Sequence, residues 1–154
     1  MKDQPDTRAE LKARALRHLA RREHTRKELA RKLAPHAESG EALDALLDAL
    51  VAKRQLSDAR YAEARVHQLS RKYGAARIAL DLRGKGLSDE AVATATASSR
   101  ASELERAVAI LRRKFRSPAV SREEHARRAR FLQGRGFSCE VIRSALGLSS
   151  TDTG

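Results

Sequence analysis

The sequence predicts an all-α protein made of three tandem three-helix repeats, and two observations support this fold class. The strong helix formers Ala, Leu, Arg and Glu dominate, β-branched runs are missing, and aromatic residues make up only 3%. The segment Gly84–Val92 returns as Gly134–Ile142, fifty positions further on. Self-similarity at a period of about 20–50 residues is typical of tandem arrays of small structural units. Such arrays present long surfaces, which favours binding over catalysis.

The first repeat is assigned to residues 11–57, after a flexible N-terminal extension at residues 1–10. Thr25 and Glu28 have the spacing of a capping box, in which the hydroxyl accepts from the Glu28 N–H and the Glu28 side chain reaches back. Pro35 ends the helix that this box opens, because proline has no N–H to donate. We expect three helices here, at about Leu11–Arg22, from Thr25 to Pro35, and at about Glu41–Lys53.

The second repeat is assigned to residues 58–100. Ser57 is placed to cap its first helix, and Gly74 separates that helix from a short second one. Ile78 and Leu82 of the second helix are expected to face the core, and they match Leu29 and Leu33 of the first repeat at an offset of 49. The third helix carries the apolar residues Ala91, Val92 and Ala95.

The third repeat is assigned to residues 101–147 and is followed by a flexible tail at residues 148–154. Its first helix is expected to end at Ser117–Pro118, and a second capping box at Ser121–Glu124 opens the next. Helical spacing places one apolar face on the first of these helices, formed by Leu104, Val108, Leu111 and Phe115. The last helix carries Val141, Ile142, Ala145 and Leu146.

The duplicated segment has the pattern of a helix–turn–helix corner. Gly86 fits the left-handed position of a Schellman turn, with Leu87 folding back onto Leu82. Gly136, Phe137 and Leu132 take the same places in the other copy, and Ser88 and Ser138 cap the helices that follow. A phosphate-binding loop is the competing interpretation, but the preceding strand and the Walker spacing are missing.

The chain is strongly basic, with a formal net charge of +12 and a pI near 10.8. This balance favours a polyanionic partner, which includes nucleic acid, an acidic protein face or anionic lipid. A solvated basic face, or arginine-rich codon usage, is the plain alternative, because opposite charges are also plentiful along most helices.

Each repeat contributes its own basic cluster, and these clusters would line up as one stripe if the repeats stack regularly. Such a stripe follows phosphates without reading bases, and the few aromatics argue against a base-stacking platform. The candidate filament- or DNA-binding residues are Arg21, Arg22, Arg26, Lys27 and Arg31 in the first repeat, Arg71, Lys72, Arg77, Arg83 and Lys85 in the second, and Arg112, Arg113, Lys114, Arg127, Arg128, Arg130 and Arg135 in the third.

No residue pattern indicates catalysis, so we expect no enzyme, no cofactor and no metal site. The five histidines are scattered without a His-x-x-x-His pair, and a Gly-x-Ser-x-Gly elbow is missing. Cys139, the single cysteine, is expected to be a small residue packed at a corner, and its isolation favours a reducing compartment. Since neither a membrane-spanning apolar run nor a signal-peptide core is found, we expect a cytoplasmic protein.

Five motifs in series resemble the RecX family of bacterial recombination regulators, in the family's order and spacing over about Leu11 to Leu146. Ser57 stands where the family usually has the first of two acidic residues, and the first corner lacks the usual glycine. Both departures affect local loop geometry alone. The motifs are Arg22–Leu29, Leu56–Ala62, Tyr73–Ile78, Gly84–Leu87 and Phe131–Phe137.

The resemblance implies an elongated, curved helical array that regulates the RecA recombinase in recombination, DNA repair and the SOS response. Family members lie in the helical groove of the filament that RecA forms on single-stranded DNA. They restrain ATP hydrolysis and strand exchange, or drive filament disassembly. The expected partners are therefore RecA and single-stranded DNA, with double-stranded DNA as a further candidate, and we expect a monomer.

Two other classes of function stay open from the residues alone. The protein could bind DNA directly, either without sequence preference or through one corner used as a helix–turn–helix reader. It could also be a structural helical adaptor whose charge serves solubility. Sequence-specific protection of a duplex would favour the reader, whereas salt-dependent and sequence-blind binding would favour the filament regulator.

Overall fold

The structure, a computed structural model, describes residues 4–148, and within that range it contains nine α-helices, one 3-10 turn and no strand. The all-helical prediction is therefore confirmed. The helices are α1 (Arg8–Arg21), α2 (Arg26–Leu33), α3 (Gly40–Ala52), α4 (Asp58–Leu69), α5 (Ala75–Gly84), α6 (Asp89–Ala101), α7 (Glu103–Lys114), α8 (Arg122–Gly134) and α9 (Cys139–Ala145), and the 3-10 turn (Ala34–His36) follows α2.

Three separate hydrophobic cores divide these helices into consecutive units of three. Helices α1–α3 surround the first core, α4–α6 the second and α7–α9 the third. Leu33, Leu82 and Leu132 occupy equivalent places at the ends of α2, α5 and α8, and all three are fully buried. The repeated spacing in the sequence thus reflects the same central leucine in each unit.

The molecule exposes more surface than a compact protein of its mass, as an elongated array does. A compact monomer of 17.0 kDa would expose about 7,700 Å² by the usual scaling of surface with mass. This chain exposes 10542 Å². The excess follows from dividing the apolar residues among three small cores instead of one large core.

Most helices begin where the sequence predicts, because their N-caps depend on residues that are close together in the chain. The hydroxyls of Thr25, Ser57, Ser88, Ser121 and Ser138 each accept from the backbone N–H three residues on. The glutamate side chain of each predicted capping box accepts a hydrogen bond from another group instead of reaching back to the N-cap residue. The Glu28 carboxylate accepts from Arg22, and the Glu124 carboxylate accepts from the Val120 N–H at 2.8 Å.

Both duplicated corners are helix stops, as predicted. Gly86 and Gly136 have φ of +88° and +89°, a region that L side chains rarely adopt. The Leu87 N–H donates to the Leu82 carbonyl at 3.3 Å, and the Phe137 N–H donates to the Leu132 carbonyl at 3.2 Å. These are the long bonds of a Schellman turn.

The predicted flexible extension is wrong for residues 6–10. Helix α1 begins at Arg8, capped by the Thr7 hydroxyl. The buried Asp6 accepts from Arg14 Nε at 2.8 Å, and its N–H donates to the His36 carbonyl at 2.8 Å. These bonds fix the segment to the first unit. The predicted tail lies, from residue 149 on, outside the described residues.

Two predictions about the third unit are also wrong. Leu104 is 45% exposed, because α7 turns Glu103, Ala107 and Ile110 inward together with the predicted Leu111. With α7 in this orientation, Glu103 accepts from the Ala75 N–H of α5, a contact that local spacing does not encode. Cys139 is exposed at the first residue of α9 and is not packed at the corner.

Candidate binding surface and the joints that position it

The same joint connects the first unit to the second and the second to the third. At the first joint, the N–H of Arg26, which begins α2, donates to the Asp58 carboxylate at 2.8 Å. At the second, the N–H of Ala75, which begins α5, donates to the Glu103 carboxylate at 2.8 Å. Asp58 and Glu103 are the first residues of α4 and α7. The second helices of the first two units are therefore capped by an acid from the next unit, where the helix dipole favours negative charge.

The glycine corner of the following unit completes each joint. A Cβ atom at Gly86 would collide with Cδ of Lys27, and a Cβ atom at Gly136 would collide with the Arg77 side chain. Gly74 and Gly136 approach so closely that a Cβ at Gly74 would meet the Gly136 carbonyl oxygen. Gly86 and Gly136 thus serve both the turn and the close approach of two units.

Arg106 binds the second unit to the third, a role that was not predicted from the sequence. Its guanidinium donates to the carbonyls of Ser70 and Tyr73 at the end of α4 and to the Ser99 carbonyl in α6. Burial lowers the pKa of Arg106, against the opposing influence of Glu103. Because it lies on the inner face of α7 with Ala107 and Ile110, a helical-wheel inspection for charged residues on the apolar face could have found it.

Cations and aromatic rings alternate across the second joint. The Arg77 guanidinium lies 4.8 Å from the centre of the Tyr73 ring, and that of Arg135 lies 5.5 Å from it. Arg135 also lies 5.1 Å from the Phe131 ring, which Lys114 approaches at 5.6 Å.

The alternation continues into the third unit. The Phe131 and Phe115 rings meet edge to face at 5.8 Å, and Arg128 covers Phe115 at 4.7 Å. We call this series the cation–aromatic ladder; it consists of Arg77, Tyr73, Arg135, Phe131, Lys114, Phe115 and Arg128. Since cations already lie against its rings, the ladder offers positive charge more than open faces for stacking.

The ladder concentrates positive charge without neutralising it. Within residues 4–148, none of its four cations forms an ion pair with a carboxylate. Each cation–π contact is worth only about 0.5–1 kcal/mol at exposed sites. A polyanion that bound here would also relieve the repulsion between neighbouring cations, so the arrangement is suited to phosphates or carboxylates.

Three of the predicted binding residues are paired with carboxylates of the chain itself. Arg22 donates to both oxygens of Glu28 at 2.9 Å and holds the pKa of that carboxyl down at about 2. Arg26 pairs with Asp48 at 2.7 Å, and Arg83 pairs with Asp89 at 3.3 Å. Their charge is therefore less available to a partner than that of the ladder.

The other predicted cations outside the ladder form no ion pair within the described part of the chain. Arg113 donates to the Arg71 carbonyl at 2.8 Å, which brings the second and third basic clusters together. Lys27 lies against Gly86, next to Lys85, at the first joint. The ladder contains no cation of the first unit, so a single stripe along all three units stays a prediction. The predicted cations outside the ladder that form no ion pair among the described residues are Arg21, Lys27, Arg31, Arg71, Lys72, Lys85, Arg112, Arg113, Arg127 and Arg130.

The histidines of the described residues do not form a metal site, since no group of His, Cys, Asp and Glu there could hold an ion. His24 is buried instead as a structural residue. Its Nδ1 lies 3.0 Å from the Arg22 carbonyl and its Nε2 lies 2.9 Å from Lys32 Nζ. Burial lowers the pKa of His24, so the neutral ring donates to Arg22 and accepts from Lys32. None of the helices within residues 4–148 is long and apolar enough to cross a membrane.

Comparison with known families supports the division of the chain into three units. The models of the first, second and third three-helix domains of RecX match residues 12–50, 57–95 and 101–146 in that order. The chain belongs to the RecX family. The family resemblance of the sequence motifs is thereby confirmed.

Relatives named regulatory protein RecX cover most of the chain. The protein of Herbaspirillum seropedicae is 50% identical over 88% of this chain and 88% of its own length. That of Neisseria gonorrhoeae strain NCCP11945 is 43% identical, with the same coverage of both chains. The crystal structure of RecX from Lactobacillus salivarius has a TM-score of 0.79 at 22% identity, covers 91% of this chain and 94% of its own, and shows the same fold.

Proposed function

We propose that this protein is a non-enzymatic regulator of the RecA recombinase. It binds in the groove of the RecA filament on single-stranded DNA, in the cytoplasm and as a monomer, and it inhibits ATP hydrolysis and strand exchange. The observation that carries the proposal is the cation–aromatic ladder at the second joint, in a chain of the RecX family. The ladder presents unpaired positive charge where two units are held in fixed relation.

The elongated array supports groove binding over binding in a pocket. A groove walled by acidic protein and DNA phosphate offers negative charge along its length, and three units in series can contact it at several places. Contacts that are linked in this way raise the overall affinity well above that of any single unit. We expect the two outer units to contact different RecA protomers, so that affinity depends on the geometry of the filament.

Direct reading of a DNA sequence is less well supported by the helices that would have to do it. Helix α6 begins with Asp89 and Glu90, and α9 has Glu140 in its first turn. Recognition helices contact base edges with their N-terminal residues, where these carboxylates would meet phosphate. Sequence-blind binding to DNA, driven by counterion release, remains compatible with the basic surface.

Binding to the filament tests the proposal. The double variant Arg71→Glu/Lys72→Glu reverses two exposed charges beside the ladder, so we expect its affinity for RecA filaments on single-stranded DNA to fall by at least about tenfold, with a smaller salt dependence. Co-sedimentation with filaments over a range of salt concentrations measures this.

The matched control is Arg8→Glu/Lys12→Glu, which makes the same change of charge at exposed positions of α1. We expect it to retain most of the affinity. Equal binding by both variants, or tighter binding of the wild-type protein to one duplex sequence than to the filament, would contradict the proposal.

A further inference from the structure

The third unit contains a cavity of about 470 Å³ on the side where α7, the loop at 115–121, α8 and α9 meet. The buried Leu111 and the half-buried Ala145 and Leu146 form an apolar part of its wall. Arg112, Arg116 and Arg128 also line the cavity. The cavity is separate from the joints that hold the units together, although it shares Arg128 and Phe115 with the ladder.

The charge of this cavity is entirely positive. No Asp or Glu lines it, and none of its three arginines forms an ion pair within residues 4–148. Arg112 and Arg116 are exposed. Arg128 donates to the Ser117 carbonyl at 2.7 Å, while its buried Nε has no partner in the described part of the chain. Three guanidinium groups beside a single apolar recess therefore lack an anion.

The apolar wall decides between a nucleic acid and a protein as the source of that anion. A nucleobase would need an open aromatic face on which to stack. Two aromatic rings line the wall. Arg128 lies over the Phe115 ring at 4.7 Å while Phe131 meets it edge to face, and the His125 imidazole has its Nδ1 3.0 Å from the Ser121 carbonyl oxygen. The rest of the apolar wall is aliphatic, which suits an inserted aliphatic side chain. Guanidinium groups bind carboxylates in two-pronged geometry.

We propose that this cavity binds an acidic segment of a protein partner, which inserts one apolar side chain between α7 and α9 while its carboxylates contact Arg112 and Arg116. The proposal rests on the proposed function, because it names the chemistry of one contact that such a regulator makes with its protein partner. It assigns that contact to the third unit alone.

Fluorescence anisotropy with labelled peptides tests this site in the full-length protein. The probe is an Asp/Glu-rich peptide that carries one leucine, and it is compared with the same peptide carrying serine instead and with oligothymidylate of similar charge. We expect the leucine peptide to bind roughly tenfold more tightly than the serine peptide, as is typical for filling an apolar pocket. Equal affinity for the two peptides would overturn the proposal.

Two variants assign the binding to the cavity. Arg112→Glu/Arg116→Glu should weaken binding of the leucine peptide by at least about tenfold, while Arg100→Glu/Arg122→Glu, on exposed positions of α6 and α8 outside the cavity, should change it little. Ala119→Trp, in the loop that lines the cavity, should remove the preference for leucine with unchanged helicity by circular dichroism. Unchanged affinity in the arginine double variant, or an unchanged preference for leucine in Ala119→Trp, overturns the site.

The alternative occupant gives a distinct result. If oligothymidylate binds more tightly than the leucine peptide and is lost in Arg112→Glu/Arg116→Glu, the cavity is a phosphate site and the proposal is wrong. Failure of the proposed function is measured separately, by RecA ATP hydrolysis on single-stranded DNA. Loss of leucine selectivity with inhibition intact overturns the cavity alone, whereas wild-type protein without inhibition overturns the proposed function.

Discussion

Gly74 and Gly136 lie in contact across the second joint, where neither has room for a side chain. The two positions require glycine for different reasons. Gly136 needs its positive φ, whereas Gly74 has φ of −78°, which any residue can adopt. At Gly74 the requirement for glycine therefore comes from the neighbouring unit alone. Because that neighbour is about sixty positions away in the chain, the sequence indicated only that Gly74 separates two helices.

Replacing Gly74 with alanine tests this contact. The new Cβ would collide with the Gly136 carbonyl, so we expect Gly74→Ala to lower the free energy of unfolding by about 1–3 kcal/mol, as overpacking typically does. Urea unfolding followed by circular dichroism measures the change. Gly84→Ala is the matched control, because a Cβ there meets nothing and alanine favours the helix. Equal stability of the two variants would show that the joint accommodates a Cβ atom at residue 74, which would contradict the prediction.

The Arg22–Glu28 pair predicts a pH dependence. The pKa of Glu28 lies at about 2 in the folded chain, below the ordinary value of 4.5. A carboxyl with a lowered pKa stabilises the fold fully above its ordinary pKa, and this contribution is lost as the pH falls toward the folded value. We therefore expect the wild type to lose its stability advantage over Glu28→Gln between about pH 4.5 and 2. Unfolding free energies measured across this range test it, and a difference that does not vary with pH would contradict the assignment.

At the scale of helices, prediction from the sequence succeeded where the signal is local. The hydroxyl caps and the two Schellman corners depend on residues within one or two turns, and the structure has them as predicted. Leu104 was wrongly placed on the apolar face of α7, because Glu103 points toward α5, a contact that spans 28 positions. Tyr73 and Phe131 were likewise missed as parts of the ladder. Each has one cation four residues further on, but its second cation comes from a distant segment, Arg135 for Tyr73 and Lys114 for Phe131.

The acid that caps α5 gives a prediction at this scale. Glu103→Ala leaves the buried Ala75 N–H without its partner, which should cost about 1–3 kcal/mol of unfolding free energy. Glu105→Ala removes an exposed carboxylate from the same helix and serves as the control. Amide hydrogen exchange should show faster exchange at the start of α5 in Glu103→Ala alone. Unchanged protection there would contradict a cap supplied by the following unit.

The whole molecule depends on both joints, and this affects how its parts can be tested. Removing the third unit by truncation after Ser99 also removes Glu103 and Arg106, so the end of α4 and the start of α5 lose the partners described above. A truncated protein that failed to inhibit RecA would therefore not distinguish lost contacts from a disturbed second unit. Substitutions of exposed charge in the full chain avoid this difficulty.

The central claim is that this array restrains RecA through positive charge held in place by the second joint. ATP hydrolysis by RecA on single-stranded DNA, measured with increasing amounts of the protein, tests it most directly. We expect hydrolysis to fall with the wild type and with Arg8→Glu/Lys12→Glu, and to require at least about tenfold more of Arg71→Glu/Lys72→Glu for the same inhibition. A rate that stays unchanged when the wild-type protein is in excess would contradict the account.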